Sequence, residues 1–188
     1  MGRHADRQVE GENAYILSYQ SFEVVDVSNP SHPALIGTTE LNGIGVDIAM
    51  EGKYTYITSR DASTGELSAT LCVVDLAQSP LPTHATCTPH DWSLDVGSLE
   101  TIPGYVLVAN MWGGLRIYRI DDPLHPLLVG ETGVPGGALD FVMNDSGSVA
   151  YVTNSGGGGL FGVTRRGRAR VGRPVSYTHL TLPTSDLV

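Results

Sequence analysis

Lysine is almost missing: the 188 residues contain Lys53 and no other. Residues 1–164 hold six basic side chains (Arg3, Arg7, Lys53, Arg60, Arg116, Arg119) against nineteen acidic ones. Without a Lys/Arg stripe there is nothing to neutralise a phosphate backbone, so nucleic acid is excluded as a partner. An anionic lipid surface would repel the same body. No stretch approaches the ~18 consecutive apolar residues of a membrane-spanning helix. The opening residues, MGRHADRQVEGE, lack the apolar core of a signal peptide. Helical periodicity is also wanting. What the chain has in quantity is punctuation, with 23 Gly and 11 Pro, as many short strands and tight turns require. The length suffices for one domain with a real core.

Internal repetition organises the sequence. Ala14-Tyr15-Ile16-Leu17, Thr55-Tyr56-Ile57-Thr58, Gly104-Tyr105-Val106-Leu107 and Ala150-Tyr151-Val152-Thr153 are four copies of one strand. A second strand follows each: Phe22–Val27, Leu71–Leu76, Leu115–Ile120 and, decaying after a correct start, Leu160–Val163. Proline-rich corners come next in the first three copies: Asn29-Pro30-Ser31-His32-Pro33, Ser79-Pro80-Leu81-Pro82 and Asp122-Pro123-Leu124-His125-Pro126. Each leads to a short outer strand such as Ala34–Gly37 or Leu127–Gly130. Ahead of each Tyr strand lies another, opened by Asp47, Asp95 or Asp140, and more faintly by Asp6. Four strands in a period of about 40–50 residues is the pattern of a propeller blade, and the internal copying favours it over a sandwich.

The segments Val24-Val25-Asp26-Val27-Ser28-Asn29-Pro30 and Leu115-Arg116-Ile117 resemble the LVIVD repeat family, and Tyr151-Val152-Thr153-Asn154 is similar to the neighbouring YVTN repeats. The resemblance spans roughly residues 5–164 and implies β-propellers of bacterial and archaeal surface or exported proteins. It specifies a fold and hardly any activity. Blade three departs from it with Arg119 where an Asp is expected. The expected fold is therefore all-β: a partial β-propeller of about three and a half four-stranded antiparallel blades. Too few to close a ring, they imply a fragment of a longer parent chain, whose missing blades would be its first partners.

The propeller is expected to occupy residues 1–164, with 165–188 a non-native or disordered tail. Five Arg crowd residues 165–173, where an Ile/Val strand is due. Val175–Val188, VSYTHLTLPTSDLV, resembles a translated sequencing-adapter read-through.

With the blade strands lettered A to D from axis to rim, the B–C and D–A loops share a face, and a ligand would be met there. Tyr19-Gln20, Asp61–Thr70, Asn110-Met111-Trp112 and Asn154–Gly159 are expected B–C loops; Thr88-Pro89-His90-Asp91-Trp92 is an expected D–A loop. Trp112, Asn110 and Trp92 are the candidate ligand-binding residues, Trp112 because a tryptophan on a turn either anchors a partner or covers a neighbouring blade. His90 and Asp91 are candidates for acid–base work, with His84 near. Asp47, Asp95 and Asp140 are candidate ligands for Ca²⁺, a hard cation that takes several oxygens; the competing role is to accept backbone N–H groups of their own loops. No other cofactor is implied. His32 and His125 share one corner position, and their replacement by Leu81 in blade two favours packing or exposure. Cys72 and Cys87 flank the second corner on strands C and D; they are either free thiols or a disulfide, and a disulfide would support export.

Two functions remain. The preferred one is a non-catalytic scaffold at the cell surface or outside the cell, binding a protein or glycan ligand through the B–C/D–A face. The second is a lactonase-like propeller hydrolase with a metal at the channel mouth.

Overall fold

Apolar residues at alternate positions, separated by Gly, Pro, Asn and Asp turns, make strands pair with their sequence neighbours. The computed structural model describes residues 7–41, 43–61, 68–77, 85–93, 96–154, 159–164 and 167–170, with backbone alone for 61, 68, 89–93, 164 and 167–170. Those residues form four antiparallel four-stranded sheets. Blade one is β1 (Arg7–Glu10), β2 (Asn13–Leu17), β3 (Ser21–Asp26) and β4 (Ala34–Glu40). Blade two is β5 (Ile44–Glu51), β6 (Tyr54–Asp61), β7 (Ser68–Asp75) and β8 (Ala85–Ser93). Blade three is β9 (Val96–Ile102), β10 (Tyr105–Asn110), β11 (Gly114–Arg119) and β12 (Leu127–Thr132). Blade four is β13 (Asp140–Met143), β14 (Val149–Thr153), β15 (Leu160–Thr164) and β16 (Gly167–Arg170). In every sheet the order in space is the order in sequence, as the repeats imply.

Three placements differ from the sequence reading. The fourth blade does not stop at its third strand: β16 pairs with β15, Gly162 opposite Ala169, inside the segment expected to be tail. An outer strand needs backbone pairing on one edge only, so Arg and Gly are tolerated there. Asp47 does not open its strand but lies within β5, at the register shift between Gly45 and Asp47. The segment Thr88–Trp92 is strand rather than loop. β6 and β7 pair out to Asp61 opposite Ser68, and that added length gives β8 a partner as far as Ser93. Pro89 fits because β8 is an edge strand, with no donor required on its outer side.

One backbone bond recurs in three blades and explains the repeat. The residue just after the C strand donates its N–H to the A–B turn: Val27 to the Glu12 carbonyl (2.8 Å), Leu76 to Lys53 (2.8 Å) and Ile120 to Gly104 (3.0 Å). The Asp just before it caps the corner. Asp26 Oδ1 accepts the Ser28 N–H and Asp75 Oδ1 the Ala77 N–H, each at 2.8 Å. Bonds from Ser28 hold the Asp26 carboxyl below its ordinary pKa. In blade three, Arg119 stands at this position and pairs with Asp121 at 2.8 Å, and Asp122 takes over the corner by accepting the Leu124 N–H at 3.2 Å.

The chain divides into two compact units, residues 1–94 and 95–188. The first is cored by Tyr15, Leu17, Phe22 and Val24 of blade one against Ile48, Ile57, Cys72 and Val74 of blade two, sealed by Leu41. Tyr15 and Phe22 stack with ring centroids 6.1 Å apart. The second unit packs Leu107, Ala109, Leu115 and Ile117 of blade three against Phe141, Ala150, Val152, Phe161 and Val163 of blade four. Here the inner strands are also tied by side chains: Ser98 Oγ accepts the Phe141 N–H and Glu100 Oε2 the Met143 N–H, each at 3.2 Å. Sheets packed face to face this way bury alternate residues of each strand.

Phe22 is wholly enclosed, so Phe22→Ala is expected to cost about 3–5 kcal/mol in urea unfolding. Tyr118 is buried beside the cross-strand pair Arg116–Glu131. Burial pushes its phenol well above the ordinary value, with Arg116 opposing and Glu131 reinforcing. A folded-state pKa above the unfolded one gives stability that is complete below about pH 10 and lost as the pH rises further. Alkaline unfolding followed by circular dichroism should therefore shift to higher pH in Tyr118→Phe.

Candidate functional site

A two-strand turn that needs its backbone held in place uses a short polar side chain with a carbonyl oxygen. Asn110, at the end of β10, is that residue in blade three. It is almost fully buried, and its Oδ1 accepts the N–H groups of Trp112 (3.0 Å) and Gly113 (2.6 Å). Gly114 then turns the chain with φ +85°, where an added Cβ would strike the Thr132 carbonyl. Trp112 sits at the tip, 72% exposed, so it does not cover a neighbouring blade.

The D–A loop of the same blade is locked to this turn. Ala138 donates its N–H to the Asn110 carbonyl at 3.0 Å. Gly137, with φ +76°, lies where an added Cβ would overlap the Met111 carbonyl. From blade four, Asn154 donates its Nδ2 to the Pro135 carbonyl at 2.6 Å while its Oδ1 accepts the Gly159 N–H at 2.7 Å. Leu139, 44% exposed, leaves the same loop. Blade one repeats the arrangement: Leu41 donates to the Gln20 carbonyl (2.9 Å), Gly45 to the Tyr19 carbonyl (3.1 Å), and Tyr19 is exposed at the tip. B–C turns and D–A loops thus meet on one face within each unit, with an aromatic residue raised above it.

The remaining candidates divide. Asn110 has its acceptor committed to the turn, so it positions Trp112. Asp47 Oδ1 accepts the Ile48 N–H and Asp140 Oδ1 the Phe141 N–H, both at 2.8 Å. These are the backbone-accepting bonds of the structural alternative. Asp95, Asp6 and His84 lie outside the described residues. His90, Asp91 and Trp92 fall in β8, in the irregularity between the pairs Thr70–Pro89 and Ser68–Ser93, and their side chains are outside the description. Among the described residues no three His, Cys, Asp or Glu gather at metal-binding distance, and no helix is long and apolar enough to cross a membrane. His32 and His125 are exposed at their corners. His125 Nδ1 lies 2.9 Å from Asp122 Oδ2 and holds that carboxyl below its ordinary pKa. Cys72 and Cys87 stand directly opposite in β7 and β8 and form a disulfide. Beside it Ser59 and Thr70 share a buried hydroxyl–hydroxyl bond. The residue that sequence reasoning undervalued is Asn154. Its place in the Tyr-Val-Thr-Asn string was visible, but its bond to Pro135 joins residues that no local pattern connects.

The LVIVD repeat family matches residues 2–40 and 42–77, which span the four strands of blade one and the first three of blade two. Over those residues the chain is similar to LVIVD repeats. Blades three and four follow the same strand order. Solved structures similar to the chain are β-propellers. A functionally unknown protein from Desulfotomaculum acetoxidans DSM 771 matches with TM-score 0.64 at 13% identity, over 95% of this chain and 57% of that one. A hypothetical selenium-binding protein from Sulfolobus tokodaii matches with TM-score 0.65 at 12% identity, over 93% and 52%. Kuenenia stuttgartiensis hydrazine synthase matches with TM-score 0.60 at 14% identity, over 86% and 45%. The chain spans about half the length of these structures, and at such identity they share its fold alone. No protein of curated function matches it.

Asn110→Ala is expected to leave the two partly buried donors of the turn without their acceptor and cost about 1 kcal/mol. Gly137→Ala should cost more than about 1 kcal/mol, since Ala is strained at positive φ and meets the Met111 carbonyl as well. Chemical denaturation of both variants checks the two figures.

Proposed function

We propose that this LVIVD-repeat chain is a non-catalytic propeller scaffold of a surface or exported protein, presenting its B–C/D–A loop face to a protein or glycan ligand. The observation that carries the reading is Trp112. A large indole held in water on a turn braced by Asn110 and Gly114 covers no core, and a rigid exposed aromatic is the side chain most often found at the centre of binding energy. Ordering costs are low because the turn is already fixed by hydrogen bonds, so little freedom is lost when a partner stacks on the ring. The Cys72–Cys87 disulfide supports an oxidising compartment, where such bonds persist. The acidic body supports solubility at a surface exposed to solvent.

A glycan array and a panel of immobilised extracellular-matrix proteins, probed with the labelled chain, test the reading. Trp112→Ala should weaken any specific signal by at least about tenfold, the scale of a hot-spot truncation. Its stability should stay within about 0.5 kcal/mol of the parent, as for other exposed positions. Binding that is indifferent to Trp112→Ala would remove the loop face from the proposal.

A further inference from the structure

The two ends of the Cys72–Cys87 bridge are unlike. Cys72 is wholly enclosed and belongs to the core of the first unit, with Ile57 of β6 directly opposite it. Cys87 is only partly buried and sits on β8, the outermost strand of its sheet. The two cysteines stand opposite each other, so their bond runs across the strands, from the interior of the sheet towards its edge. A thiolate displaces one sulfur of a disulfide along the line of the bond, from the side away from the sulfur that leaves. For Cys87 that line comes in from beyond β8. For Cys72 it comes from β6, where the enclosed Ile57 stands.

The enclosed end is also the polar one. Thr70 Oγ1 lies 3.7 Å and Ser59 Oγ 3.9 Å from Cys72 Sγ, and both residues are buried. Ser59 and Thr70 oppose one another on β6 and β7 and share a hydrogen bond. That bond uses one of the two hydroxyl protons, which leaves the other to donate to sulfur. A disulfide sulfur is a weak acceptor and gains little from it; a thiolate carries a full charge and gains much more. Burial among apolar side chains pushes a thiol up. The hydroxyl pair opposes that effect at the one sulfur that is shielded from attack.

We infer that the bridge is a thiol–disulfide exchange site for an external dithiol, with Cys87 the sulfur attacked and Cys72 the sulfur released. One thiolate of the dithiol bonds to Cys87 Sγ. The bond to Cys72 breaks, and its electron pair stays on Cys72 as a thiolate beside Thr70 and Ser59. The second thiol of the dithiol gives its proton to solvent, bonds to the first and releases Cys87. The bridge has then taken up two electrons, and two protons as its thiolates are protonated, while the dithiol has become a disulfide. The same steps in reverse close the bridge when the oxidised partner is in excess. While it is open, β8 is held by its backbone pairing to β7 and by the packing of Ala85 and Cys87 on the core.

Dithiothreitol added to the native protein without denaturant should open the bridge, read as two alkylated cysteines by mass after acid quench and unfolding. Glutathione has a single thiol and stalls after the first step, so peptide mapping should place its adduct on Cys87. Thr70→Val keeps the side-chain shape and removes the hydroxyl; it should slow reduction about threefold, because the acidity of the leaving thiol enters the rate with a fractional slope. In a Cys87→Ser background, Thr70→Val should also move the rise of Cys72 thiolate absorbance to higher pH, which a purely structural hydroxyl would not do. Ser59→Ala is the second variant, expected to act in the same direction on both readouts. A bridge that dithiothreitol opens only in denaturant would overturn the site. A glutathione adduct on Cys72 would overturn the direction of attack. Rates and titrations unmoved in both hydroxyl variants would overturn the role given to Ser59 and Thr70. None of these readouts involves Trp112, so they stand or fall separately from the loop-face binding test.

Discussion

Sheets with apolar side chains on both faces must be covered on both sides, and this one requirement orders the whole structure. In the first unit it sets Phe22 and Val24 against Ile57 and Cys72; in the second it sets Leu107 and Ile117 against Val152 and Phe161. Packing of this kind works only if successive inner strands lie side by side without pairing, which leaves N–H groups that need acceptors. Ser98 and Glu100 meet that need between blades three and four. The loops follow from the same demand: the D–A crossings that leave blades one and three start the next sheet of their unit, and their bonds to the B–C turn fix where each crossing lands.

Much of this was legible in the sequence because its causes are local. The Tyr strands alternate, the corners carry Pro at fixed offsets, and the Asp that ends the LVIVD string caps a turn two residues on. What was hidden depended on neighbours in space. Thr88–Trp92 reads as a polar, proline-bearing loop, and it becomes strand only because the β6–β7 pair was lengthened elsewhere in the sequence. Asp47 looks like a strand opener because nothing in Gly45-Val46-Asp47 announces a bulge. β16 has the composition of a tail, yet an edge strand asks its residues for little beyond a backbone.

The candidate site was legible to a similar degree. Trp112 and its two glycines marked a turn and raised two roles for the indole; only the exposure of the ring decides between them. Asn110 stood out as a ligand-binding candidate, but its bracing of the turn was hidden, since an asparagine before a turn is common and its two bonds appear only in three dimensions. The recurrent aspartates illustrate why repetition points to architecture: where Asp47 and Asp140 recur, each answers the N–H of the residue that follows it.

The Cys72–Cys87 bridge has a topological effect apart from any contribution to stability. It links the outer strand of blade two to its neighbour and makes the fourteen intervening residues a covalent ring. A peptide bond cut anywhere inside that ring leaves one connected molecule with β8 still attached. The corner of blade two can thus be nicked by a protease without shedding the strand that depends on it.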